Sequence, residues 1–186
     1  MFKRLIIPIL FSLMLFEAHA KNPIVLMKTN LGTLEIELFE SKAPVTVKNF
    51  LSYVKDGTYN GTIFHRVIKD FIIQGGNYDE QLVPRKNKGP IINEAKNGLK
   101  NLKGTLAMAR RVGKDTATNQ FFINVKDNSV LDFVDKSDQG FGYAVFGKIT
   151  KGLSIVEKMN KRATQRKGVF PRLPVKNIVI DTVTIK

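Results

Sequence analysis

The side chains able to do chemistry in this 186-residue chain are limited by its composition. The sequence has no cysteine, which excludes disulfides, thiolate-bound zinc, iron–sulfur clusters and a cysteine nucleophile. Histidine occurs only at His19 and His65, and His65 alone is left if residues 1–20 are removed as argued below. A metal site built from several histidines is therefore excluded. Beside His65, Arg66 carries a permanently charged guanidinium with a rigid fork of hydrogen-bond donors.

Three sequence blocks surround these residues. Residues 59–76 read YNGTIFHRVIKDFIIQGG; residues 104–110 read GTLAMAR and are followed at 119–124 by NQFFIN; residues 141–148 read FGYAVFGK. In this order and spacing the blocks resemble the cyclophilins, a family of peptidyl-prolyl cis–trans isomerases. The resemblance extends from about Ile24 to Lys186. The long middle loop and the ending GVFPRLP at 168–174 resemble the bacterial, exported branch of that family.

The resemblance implies catalysis of rotation about an Xaa-Pro bond. This rotation takes tens to hundreds of seconds unaided, because it crosses a barrier of roughly 18–20 kcal/mol. No covalent bond changes, so we expect no metal or cofactor. As the bond twists, its nitrogen regains a lone pair, and a fixed donor such as Arg66 binds the twisted state better than the planar one. One charge-assisted hydrogen bond contributes about 1.5–3 kcal/mol, so an apolar groove must supply much of the remainder.

The resemblance also implies which residues form the site. The expected catalytic residues are Arg66 and Gln74, with Gln74 steadying Arg66 and bonding the substrate backbone. The expected substrate-binding residues are Phe71, Ile72, Met108, Arg110, Gln120, Phe122, Leu131 and Tyr143. Among them the apolar residues line the proline pocket, and Arg110 contacts the peptide through its own main chain. Strand alternation would place Met108 and Arg110 on one face, and Gln120 and Phe122 on another.

Each of these assignments has a structural alternative when the residues are considered without the resemblance. The apolar residues would be ordinary core, Gln74 a buried amide that satisfies backbone groups, and Arg66 a partner in a surface ion pair. We expect His65 to be structural, since the isomerisation gives it no proton to move. Gly75 and Gly76 are expected to allow close backbone packing.

The periodicity of the chain predicts the elements that carry these residues. Alternating or apolar runs predict a hairpin over 24–39 and strands at 62–68, 71–74, 104–110, 120–125, 144–150 and 178–186. Helical spacing predicts helices from Ala43-Pro44 to Gly57 and over 154–162, and residues 78–103 are expected to form a long surface loop. The pattern favours a single all-β domain, either a sandwich or a closed barrel. The resemblance implies a closed eight-stranded antiparallel β-barrel capped by two α-helices.

Residues 1–20 have the pattern of a cleavable signal peptide. Lys3 and Arg4 precede an apolar stretch from Leu5 to Phe16, and Ala18-His19-Ala20 predicts cleavage after residue 20, which leaves residues 21–186 as the isomerase domain. A membrane anchor is the alternative, but twelve helical residues rise only about 18 Å against about 30 Å of hydrocarbon. We therefore expect a periplasmic protein, with full secretion as the second location.

The formal net charge of +14 would fall to +13 on removal of Lys3, Arg4 and Glu17 with residues 1–20. Such a charge is compatible with nucleic-acid binding, but the basic residues are spread along the chain and no recognition motif accompanies them. We expect a monomer that acts on proline-containing, unfolded or partly folded exported proteins, without a nucleic-acid partner and without a membrane span. A proline-peptide binding module or chaperone that lacks turnover is the alternative function.

One position departs from the pattern of many cyclophilins. These carry a tryptophan shortly before the Leu-Asp pair, and its indole donates a hydrogen bond to the inhibitor cyclosporin. Val130 occupies this position here, before Leu131-Asp132, and the chain has no tryptophan. We therefore expect weak cyclosporin binding together with ordinary isomerase activity.

Overall fold

The computed structural model describes residues 21–186, and the predicted signal peptide lies outside them. The strands are β1 (Ile24–Thr29), β2 (Gly32–Leu38), β3 (Thr62–Ile63), β4 (Arg66–Ile68), β5 (Ile72–Gly75), β6 (Thr105–Met108), β7 (Phe121–Asn124), β8 (Val145–Lys151), β9 (Thr164–Lys167), β10 (Phe170–Pro174) and β11 (Val179–Ile185). The helices are α1 (Pro44–Lys55) and α2 (Leu153–Asn160). The prediction of a mainly-β domain with two helices is confirmed.

Nine of the strands form one antiparallel sheet in the order β3-β11-β1-β2-β8-β6-β7-β5-β4. Its two edge strands are consecutive in the chain, with only Phe64 and His65 between Ile63 and Arg66. Three residue steps span at most about 11 Å, whereas a flat sheet of nine strands would be about 38 Å wide. The sheet must therefore curl strongly until its edges meet.

This architecture corrects the strand count of the predicted barrel. The curled sheet has nine strands rather than eight, because the run predicted over 62–68 divides into β3 and β4 on opposite edges. Closure by hydrogen bonds between these edges is not among the described pairings and stays a prediction. The hairpin of β9 and β10 was not predicted, since its strands are rich in charge and contain two prolines, Pro171 and Pro174.

The sheet is buried on both faces around β7, where all four residues are buried. Phe121 and Ile123 point into the main core, together with Phe50 of α1 and Phe146 of β8. Phe122, between them in sequence, belongs to a separate and smaller cluster on the other face. The period of two along a strand thus divides β7 between a structural core and a second apolar face.

The loop over residues 78–103 is irregular, as predicted, but it is tied to the fold through α1. The N-cap residue of α1 is Ala43, which has no side chain able to cap the helix. Glu94 of the loop supplies the missing acceptor, with its carboxylate 2.8 Å from the Thr46 backbone nitrogen and 3.2 Å from that of Val45. A carboxylate at this end also complements the helix dipole. Within residues 21–186, no helix has the length and hydropathy needed to cross a membrane.

Candidate active site

A row of three polar side chains runs from β4 across β5 to Gln120, the residue that directly precedes β7. Arg66 is paired with Gln74 across β4 and β5, so both side chains emerge on the same face. The Arg66 Nη1 donates to Gln74 Oε1 at 3.0 Å, and the Gln74 Nε2 donates to Gln120 Oε1 at 2.8 Å. The guanidinium is therefore held in a defined direction by a glutamine that is itself held.

Arg66 is a half-buried cation without an acidic partner. The salt bridges of the described residues involve other side chains, and none includes Arg66. Burial lowers the pKa of Arg66, and the neighbouring Tyr143 partly opposes this shift. The guanidinium remains protonated at neutral pH, because an arginine side chain keeps its proton throughout the physiological range even when its pKa is lowered. A charge that is partly shielded from water and unpaired interacts strongly with an approaching acceptor.

His65 is buried beside this row, where a structural role is expected. Burial and then the charge of Arg66 lower the pKa of His65 from 6.5 to about 4, so the ring is neutral at pH 7. Its Nδ1 has no hydrogen-bond partner. The ring packs edge-on against Tyr78 at 4.9 Å and Phe170 at 6.0 Å. His65 therefore supports the site by packing, with no proton to transfer.

An apolar face lies beside the row. Ile72 and Phe122 are buried in it, and Phe71, Leu131 and Tyr143 pack against them while remaining partly exposed. The ring of Phe122 meets that of Tyr143 edge-on at 5.5 Å. Five of the predicted substrate-binding residues are thus brought together on one surface, where a proline ring would find apolar contact.

Met108 is the predicted pocket residue that the structure places elsewhere. In the β6–β7 register, Met108 pairs with Phe121 and Ala107 pairs with Phe122. Met108 accordingly lies in the main core and is 3% exposed. Ala107 and the partly exposed Ala109 belong to the apolar face instead. The prediction for Met108 is corrected, because paired residues of neighbouring strands share a face and the register was not known from sequence.

A network of buried asparagines lies beneath the apolar face and was missed by the sequence analysis. Asn101, Asn124 and Asn128 are each at most 2% exposed. The Asn128 Nδ2 donates to the carbonyl of Phe71 at 2.9 Å, and the Asn101 Nδ2 donates to that of Leu131 at 3.0 Å. Asn124 links the two by hydrogen bonds of 3.1 and 2.8 Å. The network fixes the backbone of two residues of the apolar face, although nothing in their spacing signals it.

Arg110 uses its side chain to hold the neighbouring loop. Its Nε donates to the carbonyl of Gly142 at 3.0 Å, and its Nη2 donates to that of Asp138 at 2.8 Å. Its guanidinium also lies 4.9 Å from the centre of the Tyr143 ring. The Arg110 side chain is thus engaged within the protein, and contact of its main chain with substrate stays a prediction.

A cleft of about 500 Å³ continues from the polar row. Gln74 and Gln120 line one side of it, and Ala109, Arg110 and Arg111 line another. The cleft gives an extended peptide room beside the apolar face. Within residues 21–186, no group of three histidine or acidic side chains is placed to hold a metal ion.

Comparison with known proteins shows the family to which this chain belongs. The family model described as "Cyclophilin type peptidyl-prolyl cis-trans isomerase/CLD" matches residues 24–185. The chain belongs to the cyclophilin family. It is 51% identical to a peptidyl-prolyl cis–trans isomerase of Acinetobacter baylyi over 93% of this chain and 91% of that protein. It is 50% identical to peptidyl-prolyl cis–trans isomerase B of Escherichia coli over 84% of this chain and 96% of that protein.

Solved cyclophilins have the same fold. A crystal structure of a cyclophilin-type isomerase of Cryptosporidium parvum superposes with a TM-score of 0.73 at 29% identity, covering 89% of this chain and 98% of that one. A second crystal structure of that protein, determined in the presence of the dipeptide Ala-Pro, gives a TM-score of 0.72 over 88% and 98%. With these relatives, the chain is a peptidyl-prolyl cis–trans isomerase.

Proposed function

We propose that this isomerase accelerates Xaa-Pro rotation in exported proteins, with Arg66 as the donor to the twisted imide nitrogen. The observation that supports this role of Arg66 is its hydrogen bond of 3.0 Å from Nη1 to Gln74 Oε1. This bond lies beside the apolar face around Phe122. This bond directs the guanidinium while using one of its five N–H donors. Donors therefore remain for a substrate.

The apolar face and Arg66 divide the work of lowering the barrier. A twisted amide is less polar than a planar one, so the low-dielectric surface of Ile72, Phe122 and Leu131 favours the twisted state. Arg66 adds a hydrogen bond that exists only when the nitrogen lone pair is released, which corresponds to roughly 10- to 100-fold in rate. Acceleration by about 10⁵-fold requires about 7 kcal/mol, so the apolar face must contribute most of it.

Gln74 has two tasks in this scheme. Its Oε1 receives Arg66 and its Nε2 donates to Gln120, so the two bonds determine which way the amide points. The second N–H of that Nε2 is left for a carbonyl of the substrate backbone. Gln74 thus links the position of the peptide to the position of the guanidinium.

A coupled isomerisation assay on an Xaa-Pro peptide tests the role of Arg66. We expect clear acceleration by the wild type and a loss of at least about tenfold in kcat/KM for Arg66→Ala, the low end of one charged hydrogen bond. Arg66→Lys should fall between them, because lysine keeps the charge without the fork. Arg172→Ala, at an exposed arginine of β10, is the matched control and should behave as the wild type.

The outcomes separate the alternatives. Equal rates for the wild type and Arg66→Ala would remove Arg66 from the mechanism. A wild type that binds proline peptides without accelerating their isomerisation would support the binding module instead.

Export is the second part of the proposal. It is supported by the charged start, apolar run and Ala18-His19-Ala20 of residues 1–20, and by the absence of cysteine. Expression of the full chain in a Gram-negative host should give a periplasmic protein whose mass corresponds to a start at Lys21, eluting as a monomer. Replacing both Ala18 and Ala20 by arginine should block cleavage. An uncleaved wild-type chain in the cytoplasm would refute this part alone.

A further inference from the structure

A second, smaller hollow adjoins Arg66. Its volume is about 190 Å³, and it shares Gln120 with the larger cleft. Arg66 itself forms part of its wall, and Val169, Phe170 and Pro171 from the unpredicted hairpin form another part. A peptide held at Arg66 therefore lies beside this hollow as well as beside the larger cleft.

The hairpin tip is held at this place by aromatic packing. Lys167 pairs with Phe170 across the turn, and Gly168 between them has a φ of +53°, which favours glycine. The ring of Phe170 meets those of Tyr78 at 4.9 Å and His65 at 6.0 Å, edge-on in both cases. Strand β10 also contacts β4, the strand that carries Arg66. The tip is thus positioned relative to the guanidinium.

The wall of the hollow is apolar along Val169, Phe170 and Pro171 and polar along the rest. Val169 is 85% exposed, although it is next to the half-buried Phe170. His65 and Tyr78 complete the wall, and His65 is neutral because its pKa lies at about 4. Arg66 is the cation of this wall, and its bond to Gln74 directs the guanidinium while leaving donors for the peptide backbone. An uncharged group with an apolar surface toward Val169 fits these surroundings best.

We propose that this hollow is a second substrate subsite, which receives one apolar side chain close to the proline. The inference rests on the proposed function, since it places the peptide at Arg66. An extended chain advances about 3.3 Å per residue, so a side chain within one to three residues of the proline reaches the hollow. A leucine side chain in the hollow would cover the exposed surface of Val169. This apolar contact is the reason why the enzyme should prefer leucine over a polar residue at that position.

Substrate scanning tests the subsite. Peptides with one proline carry either leucine or asparagine, which are similar in size, at each of the three positions before and after it. We expect the wild type to favour leucine by about fivefold in kcat/KM at one position. Val169→Ser should reduce this ratio to about twofold or less, whereas Val169→Ile should retain it. Val175→Ser is the matched control, at a 55% exposed valine just beyond β10, and should retain the wild-type ratio.

Other results would refute either the subsite or the proposed function. Absence of a leucine preference in the wild type, or its survival in Val169→Ser, would refute the subsite. An equal loss for every peptide in Val169→Ser would show a structural role for the tip and would also refute it. If the wild type accelerated none of the peptides, the proposed function would fail rather than the subsite.

Discussion

The two sides of Arg66 are built in different ways. On one side, the apolar face is tied from below by buried asparagines, which bond the backbone of Phe71 and Leu131. On the other side, part of the wall of the hollow belongs to a two-stranded hairpin whose strands, within residues 21–186, pair only with each other. In the proposed scheme, the surface on which the bond rotates is thus fixed in position, while the surface that contacts neighbouring residues of the peptide is carried on a separate element.

This difference follows from what each side must do. Stabilising a transition state requires a geometry that is set before the substrate arrives, and buried hydrogen bonds provide it. Reading a neighbouring side chain requires only apolar contact, which a small hairpin can offer. Three further experiments test this difference between the two sides of Arg66.

The largest expected effect is on the apolar face, which the buried asparagines hold in place. Asn101→Ala removes buried hydrogen bonds to Leu131, Asp132 and Asn124, each worth about 1 kcal/mol, so we expect a loss of about 3 kcal/mol in the free energy of unfolding. The midpoint of thermal unfolding should fall by about 10 °C. The KM for a proline peptide should rise, because the Leu131 backbone loses one of the hydrogen bonds that hold it.

The exposed Asn87→Ala is the control and should change stability by less than about 0.5 kcal/mol. An Asn101→Ala protein as stable and active as the wild type would show that the asparagine network does not hold the apolar face.

The second effect is on His65, which packs beneath the hairpin tip. Because folding lowers its pKa from 6.5 to about 4, the folded state favours the neutral ring. This stabilisation is complete above pH 6.5 and is lost as the pH falls toward 4. Urea unfolding should show a decrease of about 2 kcal/mol between pH 7 and pH 5.

His65→Gln has no group that titrates in this range, so its stability should vary less between the two pH values. The same slope in both proteins would assign the pH dependence to other groups. Isomerase activity should stay level from pH 7 to pH 9, since neither His65 nor Arg66 changes charge there.

The smallest expected effect concerns Val130, which directly precedes Leu131 of the apolar face. Val130 is 80% exposed and has no donor, so the wild type should bind cyclosporin weakly. Val130→Trp adds an indole donor and apolar area, and inhibition should tighten by about tenfold, equivalent to one modest hydrogen bond. The exposed Val134→Trp is the control. Tight inhibition of the wild type at stoichiometric drug would contradict the expectation.

Most elements were predictable from local pattern. The predicted helix from Ala43-Pro44 to Gly57 is found at Pro44–Lys55, and Gly57 follows it with a φ of +72°. The predicted strands recur with ends that differ by a few residues, except that the run over 62–68 divides into β3 and β4. Gly75 was expected to allow close packing, and a Cβ there would lie 2.9 Å from the carbonyl oxygen of Ile63. Such features depend on neighbours in sequence, which is why the sequence reveals them.

The errors concern contacts between distant segments. Met108 was assigned to the pocket because alternation within one strand does not say which neighbour it faces. The asparagine network joins residues 101, 124 and 128 to the backbone at 71 and 131, and the hairpin tip reaches Arg66 from about a hundred residues further along the chain. These contacts exist only when strand order and register are set.

The sequence by itself determined the family, the mainly-β class and the two helices, and it predicts Arg66 with Gln74 as the centre of the site. Motifs and periodicity express these properties locally. Only the tertiary structure decided that the sheet has nine strands, that Ala107 rather than Met108 faces Phe122, and that Val169 stands beside the guanidinium. The physical reason is that register and curl arise from the packing of the whole sheet around one core, which no single segment encodes.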